Sequence, residues 1–93
     1  MTFSSRLDDA IKLAARLHRD QVRNDNERSP YITHLVSVMV VLSQVTDDED
    51  ILVAGIMHDS LEDVPHYTYE RLVEDCGERV AKIVHHEIGR AHV

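Results

Sequence analysis

Seven residues without a polar side chain, Ile51 to Met57, run directly into His58, Asp59, Glu62 and Asp63. No other stretch limits the fold so tightly. An apolar run of this kind belongs in a core, and burying ionised carboxylates beside it costs about several kcal/mol each unless they are paired or hold a cation. In a helix, residues three and four apart share a face, which sets His58 above Glu62 and Asp59 above both Glu62 and Asp63. The run therefore predicts a buried helix that carries an imidazole and three carboxylates at its end. A bound metal would remove the burial cost.

The rest of the chain supplies helices to pack around that one. Leu7, Ala10, Ile11, Ala14, Leu17 and His18 recur at three- and four-residue spacing behind a Ser5/Asp8 start signal, predicting a helix from about residue 5 to about 20. Val22 to Tyr31 is polar and aperiodic, contains Asn24-Asp25-Asn26, and reads as a loop closed by Pro30. A second helix is expected over Ile32 to Ser43; its valines are compatible with a strand, but a long apolar run without alternation favours a buried helix. Thr46-Asp47-Asp48-Glu49 is a capping box that opens the third helix, Asp47 to about Leu61, which Pro65 ends. Thr68 caps a fourth helix that Gly77 stops, and Glu78 to His86 forms a fifth. The fold class is all-α, a bundle of about five helices.

Ninety-three residues form at most one small domain. The formal charge of −7 argues against a general nucleic-acid or anionic-membrane binder. That charge is uneven: residues 1–28 hold six basic and five acidic groups, the remainder four and twelve. A polyanionic substrate is therefore better received near the first segment or at a bound metal. The single cysteine, Cys76, excludes an internal disulfide and a thiolate zinc cluster, and fits a reducing, cytoplasmic setting. The N-terminal stretch is amphipathic and carries acids, unlike a signal or transit peptide, and no apolar run approaches transmembrane length. Three glycines leave no phosphate loop or dinucleotide fingerprint.

His34, His58 and Asp59 offer two imidazoles and a carboxylate, a donor set suited to Mn²⁺, Fe²⁺, Zn²⁺ or Ni²⁺. The plain alternative is that His58 and Asp59 satisfy each other and the neighbouring backbone. His18, on the apolar face of the first helix, is expected as a packed, hydrogen-bonded core group rather than a ligand.

PYITH (Pro30 to His34), MHDSLED (Met57 to Asp63), the spacing Thr68, Glu70, Leu72, Gly77, and the upstream Ala14, His18, Gln21, Arg23 resemble, in order and separation, the HD-domain metal-dependent phosphohydrolases. Within them the likeness is to hydrolases of the RelA/SpoT type, which remove the 3′-pyrophosphate of the guanine nucleotide ppGpp to leave GDP and pyrophosphate. The resemblance implies metal ligands at His34, His58 and Asp59, for Mn²⁺. It implies a pair at Glu62 and Asp63 that orients and activates the attacking water, and Arg23 near the nucleotide. It also implies a domain about twice this length, with a fourth ligand, an aspartate, in a further half. On that basis residues 1–86 read as the N-terminal part of an HD hydrolase domain, a poor enzyme when alone. An HD enzyme acting on another phosphoester and a non-catalytic helical regulatory module are the other readings. The final EIGRAHV, residues 87–93, back-translates to a common sequencing-adapter read-through and is expected to be non-biological, the alternative being an ordinary tail.

Overall fold

The apolar run is the centre of the fold, as its composition requires. In a computed structural model that describes the backbone of residues 4–23 and 27–91, and side chains as far as residue 86, it forms α3 (Glu49–Met57). Leu52 to Met57 are all buried. Around it lie α1 (Ser5–Leu17), α2 (Ile32–Ser43) and α6 (Glu78–Ala91), each packed directly on α3. The short α4 (Ser60–Asp63) follows α3, and α5 (Tyr69–Cys76) packs against α6. A helix buried on every side needs no amphipathic stripe, which is why α3 shows none in its sequence. Among the described residues there is no strand beyond one isolated bridge, Val22 to Pro30, so the fold is all-helical as expected.

Three local expectations are corrected. The third helix does not run unbroken from Asp47 to Leu61: it stops at Met57, turns through His58 and Asp59, and resumes as α4. This adds a sixth helical segment to the expected five. Its N-cap is Asp48, whose carboxylate accepts from Asp50 N, while Thr46 Oγ1 accepts one step earlier from Asp48 N. Ser4 rather than Ser5 caps α1, accepting from Leu7 N. The cap at Thr68 and the stop at Gly77, with φ +98°, are as the sequence predicts. α6 continues past His86 to Ala91; the side chains of residues 87–93, and the loop residues Asn24-Asp25-Asn26, lie outside the described residues. No helix among the described residues is long and apolar enough to cross a membrane.

The N-terminus of α3 is held by two arginines. Arg79 on α6 donates to both Asp48 oxygens (2.9 and 2.8 Å) and to Asp50 (2.9 Å), and Arg6 on α1 pairs with Asp50 (2.6 Å) and Glu49 (3.3 Å). The Arg79 guanidinium lies first among the influences that hold the Asp48 and Asp50 carboxyls below their ordinary 3.8. A carboxyl depressed in the folded state contributes stability that is present above its unfolded pKa and lost as pH falls through the folded one. Arg79→Met should therefore lower the melting temperature modestly at pH 7, since the pairs are solvent-exposed, with the difference from the unaltered chain shrinking as pH falls through the depressed carboxyl pKa values and in high salt. Paired thermal melts across that range check this.

Candidate metal centre

Close approach of α2 to α3 builds the centre. Gly55 makes it possible: a Cβ there would stand 2.5 Å from Leu42 Cδ1 and 3.6 Å from Val38 Cγ1. With the helices this near, His34 in the first turn of α2 meets His58 and Asp59 in the turn after α3. One donor atom from each of the three lies within 4.8 Å of the others. Asp59 Oδ2 is 3.2 Å from His58 Nε2 and 4.0 Å from His34 Nε2, and the two imidazoles stand edge to face at 5.7 Å.

The protons in this cluster fit a cation. His58 Nδ1–H donates to the Gly55 carbonyl at 2.7 Å, so a neutral His58 turns the lone pair of Nε2 toward the Asp59 carboxylate. Two acceptors facing each other at that distance need a positive charge, either a proton on the imidazole or a metal ion between them. Burial, then the charge of Arg23, hold His34 below its ordinary pKa, against the pull of Asp59. His34 is therefore neutral near pH 7 and keeps a lone pair to donate. Burial pushes the Asp59 carboxyl up, but hydrogen bonds from His58 and Tyr31 outweigh it and hold the group below its ordinary value, ionised. Once His58 Nε2 gives up the proton it shares with Asp59, two imidazole nitrogens and one anionic oxygen make the donor set of a divalent first-row metal site.

Glu62 and Asp63 follow on α4, and both are exposed. Asp63 N donates to the Asp59 carbonyl at 2.9 Å, so α4 carries the two acids one turn on from the cluster. Arg23 reaches the same region from the loop after α1. Its amide donates to the Ser29 carbonyl (2.8 Å), Tyr31 N donates to the Gln21 carbonyl (3.0 Å), and the loop closes at its base. Arg23, Thr33, His34 and Ser37 line an open polar recess of about 360 Å³ beside the cluster. His18 is buried at 2 % exposure and lies outside the metal-competent group, as a core histidine should. Its Nδ1–H donates to Gln21 Oε1 at 2.8 Å, and its Nε2 has no hydrogen-bond partner among the described residues.

Sequence reasoning missed Tyr31 and Gln21 as members of the centre. The Tyr31 hydroxyl donates to Asp59 Oδ2 at 2.5 Å and lies 3.4 Å from Asp63 Oδ2, while Gln21 Nε2 donates to the Asp63 carbonyl at 2.9 Å. The available signal was chemical: a tyrosine three residues before a ligand-type histidine has a hydroxyl that must find a partner wherever its ring is packed.

The HD-domain family profile matches residues 10–88. A guanosine-3′,5′-bis(diphosphate) 3′-pyrophosphohydrolase of Haemophilus influenzae is 42% identical over 72 residues, covering 77% of this chain and 10% of that protein. A protein of the same name from Aquifex aeolicus is 40% identical over 75 residues, covering 81% of this chain and 10% of its own. A solved structure described as a metazoan ortholog of SpoT that hydrolyzes ppGpp superposes with a TM-score of 0.84 at 30% identity, over 91% of this chain and 48% of that one. The chain thus spans about a tenth of the length of these curated relatives and about half of the solved one.

Proposed function

The chain belongs to the HD-domain family, and on that premise we propose that its protein is a divalent-metal-dependent phosphohydrolase. Its reaction would be removal of the 3′-pyrophosphate of guanosine 3′,5′-bis(diphosphate), giving GDP and pyrophosphate. The observation that carries this reading is the convergence of His34, His58 and Asp59 from α2 and the α3–α4 turn, in a chain about 40% identical to proteins named for that activity. In this reading the three are metal ligands, with Mn²⁺ the ion, working in the cytoplasm.

The bound cation would supply Lewis acidity, neutralising phosphate oxygens and making a coordinated water more acidic. The chain's own residues do the rest. Glu62 and Asp63, one turn beyond Asp59, orient the attacking water and accept its proton. Attack at the phosphorus forms the new P–O bond as the bond to the ribose 3′-oxygen breaks, and that oxygen leaves as the hydroxyl of GDP once protonated. Arg23 offers a planar guanidinium beside His34 for phosphate or for stacking on the guanine base, with the Thr33 and Ser37 side chains along the same recess. Electrostatics make the cation necessary: with Asp59, Glu62 and Asp63 together in a chain of net charge −7, a polyanion is repelled unless positive charge is present at the centre.

The test is to incubate the protein with Mn²⁺ and ppGpp, alongside a panel of other nucleotides and phosphoesters, and identify the products. GDP with pyrophosphate, released only when metal is supplied, is the expected result. Release from other phosphoesters but not ppGpp moves the assignment to a different HD phosphohydrolase. Metal binding without hydrolysis of anything offered, by protein of the relatives' full length, overturns the enzymatic reading in favour of a regulatory module.

A further inference from the structure

Behind the three candidate ligands lies a second set of side chains that the chemistry above does not use. Tyr31 sits at the entrance of α2, and its ring is gripped on both faces of the turn. It stacks on His18 (centroids 5.1 Å apart, planes at 24°) and meets His34 edge-on at 5.5 Å. Its backbone is tied to Gln21, and Gln21 is tied in turn to His18 and to the Asp63 carbonyl. The ring therefore has little freedom to swing, and its hydroxyl is delivered to one place.

That place is the gap between two carboxylates. The phenol has a single proton, held mainly by Asp59 Oδ2 at 2.5 Å, with Asp63 Oδ2 the more distant acceptor at 3.4 Å. A phenol keeps its proton at neutral pH, so the hydroxyl is a donor to these acids. Without it, two acids separated by one turn of α4 would repel each other and rotate apart.

We propose that Tyr31 is a positioning residue: its hydroxyl, fixed by the His18–Gln21 pair, orients Asp59 toward His34 and His58 and keeps Asp63 in register with it. This rests on the metal reading of the centre. Outer groups that hydrogen-bond a ligating carboxylate set its direction and basicity, and their removal typically weakens metal affinity about 10–100-fold. Gln21 acts one step further back, holding the main chain of Asp63 rather than its carboxylate.

Tyr31→Phe isolates the hydroxyl, because the ring and its stacking on His18 are retained. Mn²⁺ binding by the chain, followed by the loss of the free-ion signal in electron paramagnetic resonance, should weaken about tenfold or more in the variant. Its thermal melt in EDTA should match that of the unaltered chain. Equal Mn²⁺ affinity in the two proteins overturns the proposal while leaving the metal reading intact. A variant that loses metal binding together with its fold assigns Tyr31 to packing and also overturns it. Failure of the unaltered chain to bind Mn²⁺ removes the metal reading and this proposal with it.

Discussion

Replacing Asp59 with Ala should abolish measurable Mn²⁺ binding by this chain. Of the three groups that converge, Asp59 is the only one with a formal negative charge, and its Oδ2 is the atom on which His58, His34 and Tyr31 all bear. Loss of an outer-shell partner already weakens a metal site by about 10–100-fold, so loss of the sole anionic ligand should exceed that, and turnover should fall by at least about 10²-fold with it. The side chain is half-buried and lies in a turn rather than inside a helix, so the fold should survive. Two imidazoles would remain, without the charge that draws a divalent ion to them. Calorimetric titration with Mn²⁺, alongside circular dichroism of the same sample, separates the outcomes. If the variant binds Mn²⁺ as tightly as the unaltered chain, the His34–His58–Asp59 cluster is not the metal centre.

The helices were legible because their causes are local or repeated. Ile51 to Met57 admits few structures other than a buried helix, and Thr68 and Gly77 mark the ends of α5 by simple capping chemistry. His34 and His58 could be brought together from sequence only through the family resemblance, since no periodicity links residues on separate helices. The break at His58 and Asp59 was not legible. There, side chains take carbonyls that a continuing helix would use: His58 Nδ1–H bonds the Gly55 carbonyl, and Ser60 Oγ bonds the Met57 carbonyl at 2.7 Å. Such competition between side chain and backbone ends helices without any glycine or proline to announce it. The turn also has a chemical result, because it swings Asp59 toward His34 instead of leaving it along the axis of α3. Tyr31 was hidden for a different reason: its partner carboxylate lies on another element, and the sequence offers no pattern that pairs them.

Glu62→Gln should separate binding from turnover. Glu62 is not among the atoms that converge on the candidate cation, so Mn²⁺ affinity should be nearly unchanged. Gln keeps the shape and a hydrogen-bonding oxygen but cannot accept a proton at neutral pH. Where a positioned carboxylate acts as general base, its loss costs about 10²–10⁴-fold in rate, and that is the fall in kcat expected for hydrolysis of ppGpp by a protein carrying this domain. KM should change far less, because the phosphates are received by the cation and by Arg23 rather than by an acid. This pattern is what distinguishes an enzyme from a module that keeps its metal for structural purposes, since in the module Glu62 transfers no proton and its replacement leaves function unchanged. Unchanged kcat in E62Q would therefore move proton transfer away from Glu62. Asp63, held by Tyr31 and Gln21, would then be the remaining carboxylate placed to accept it.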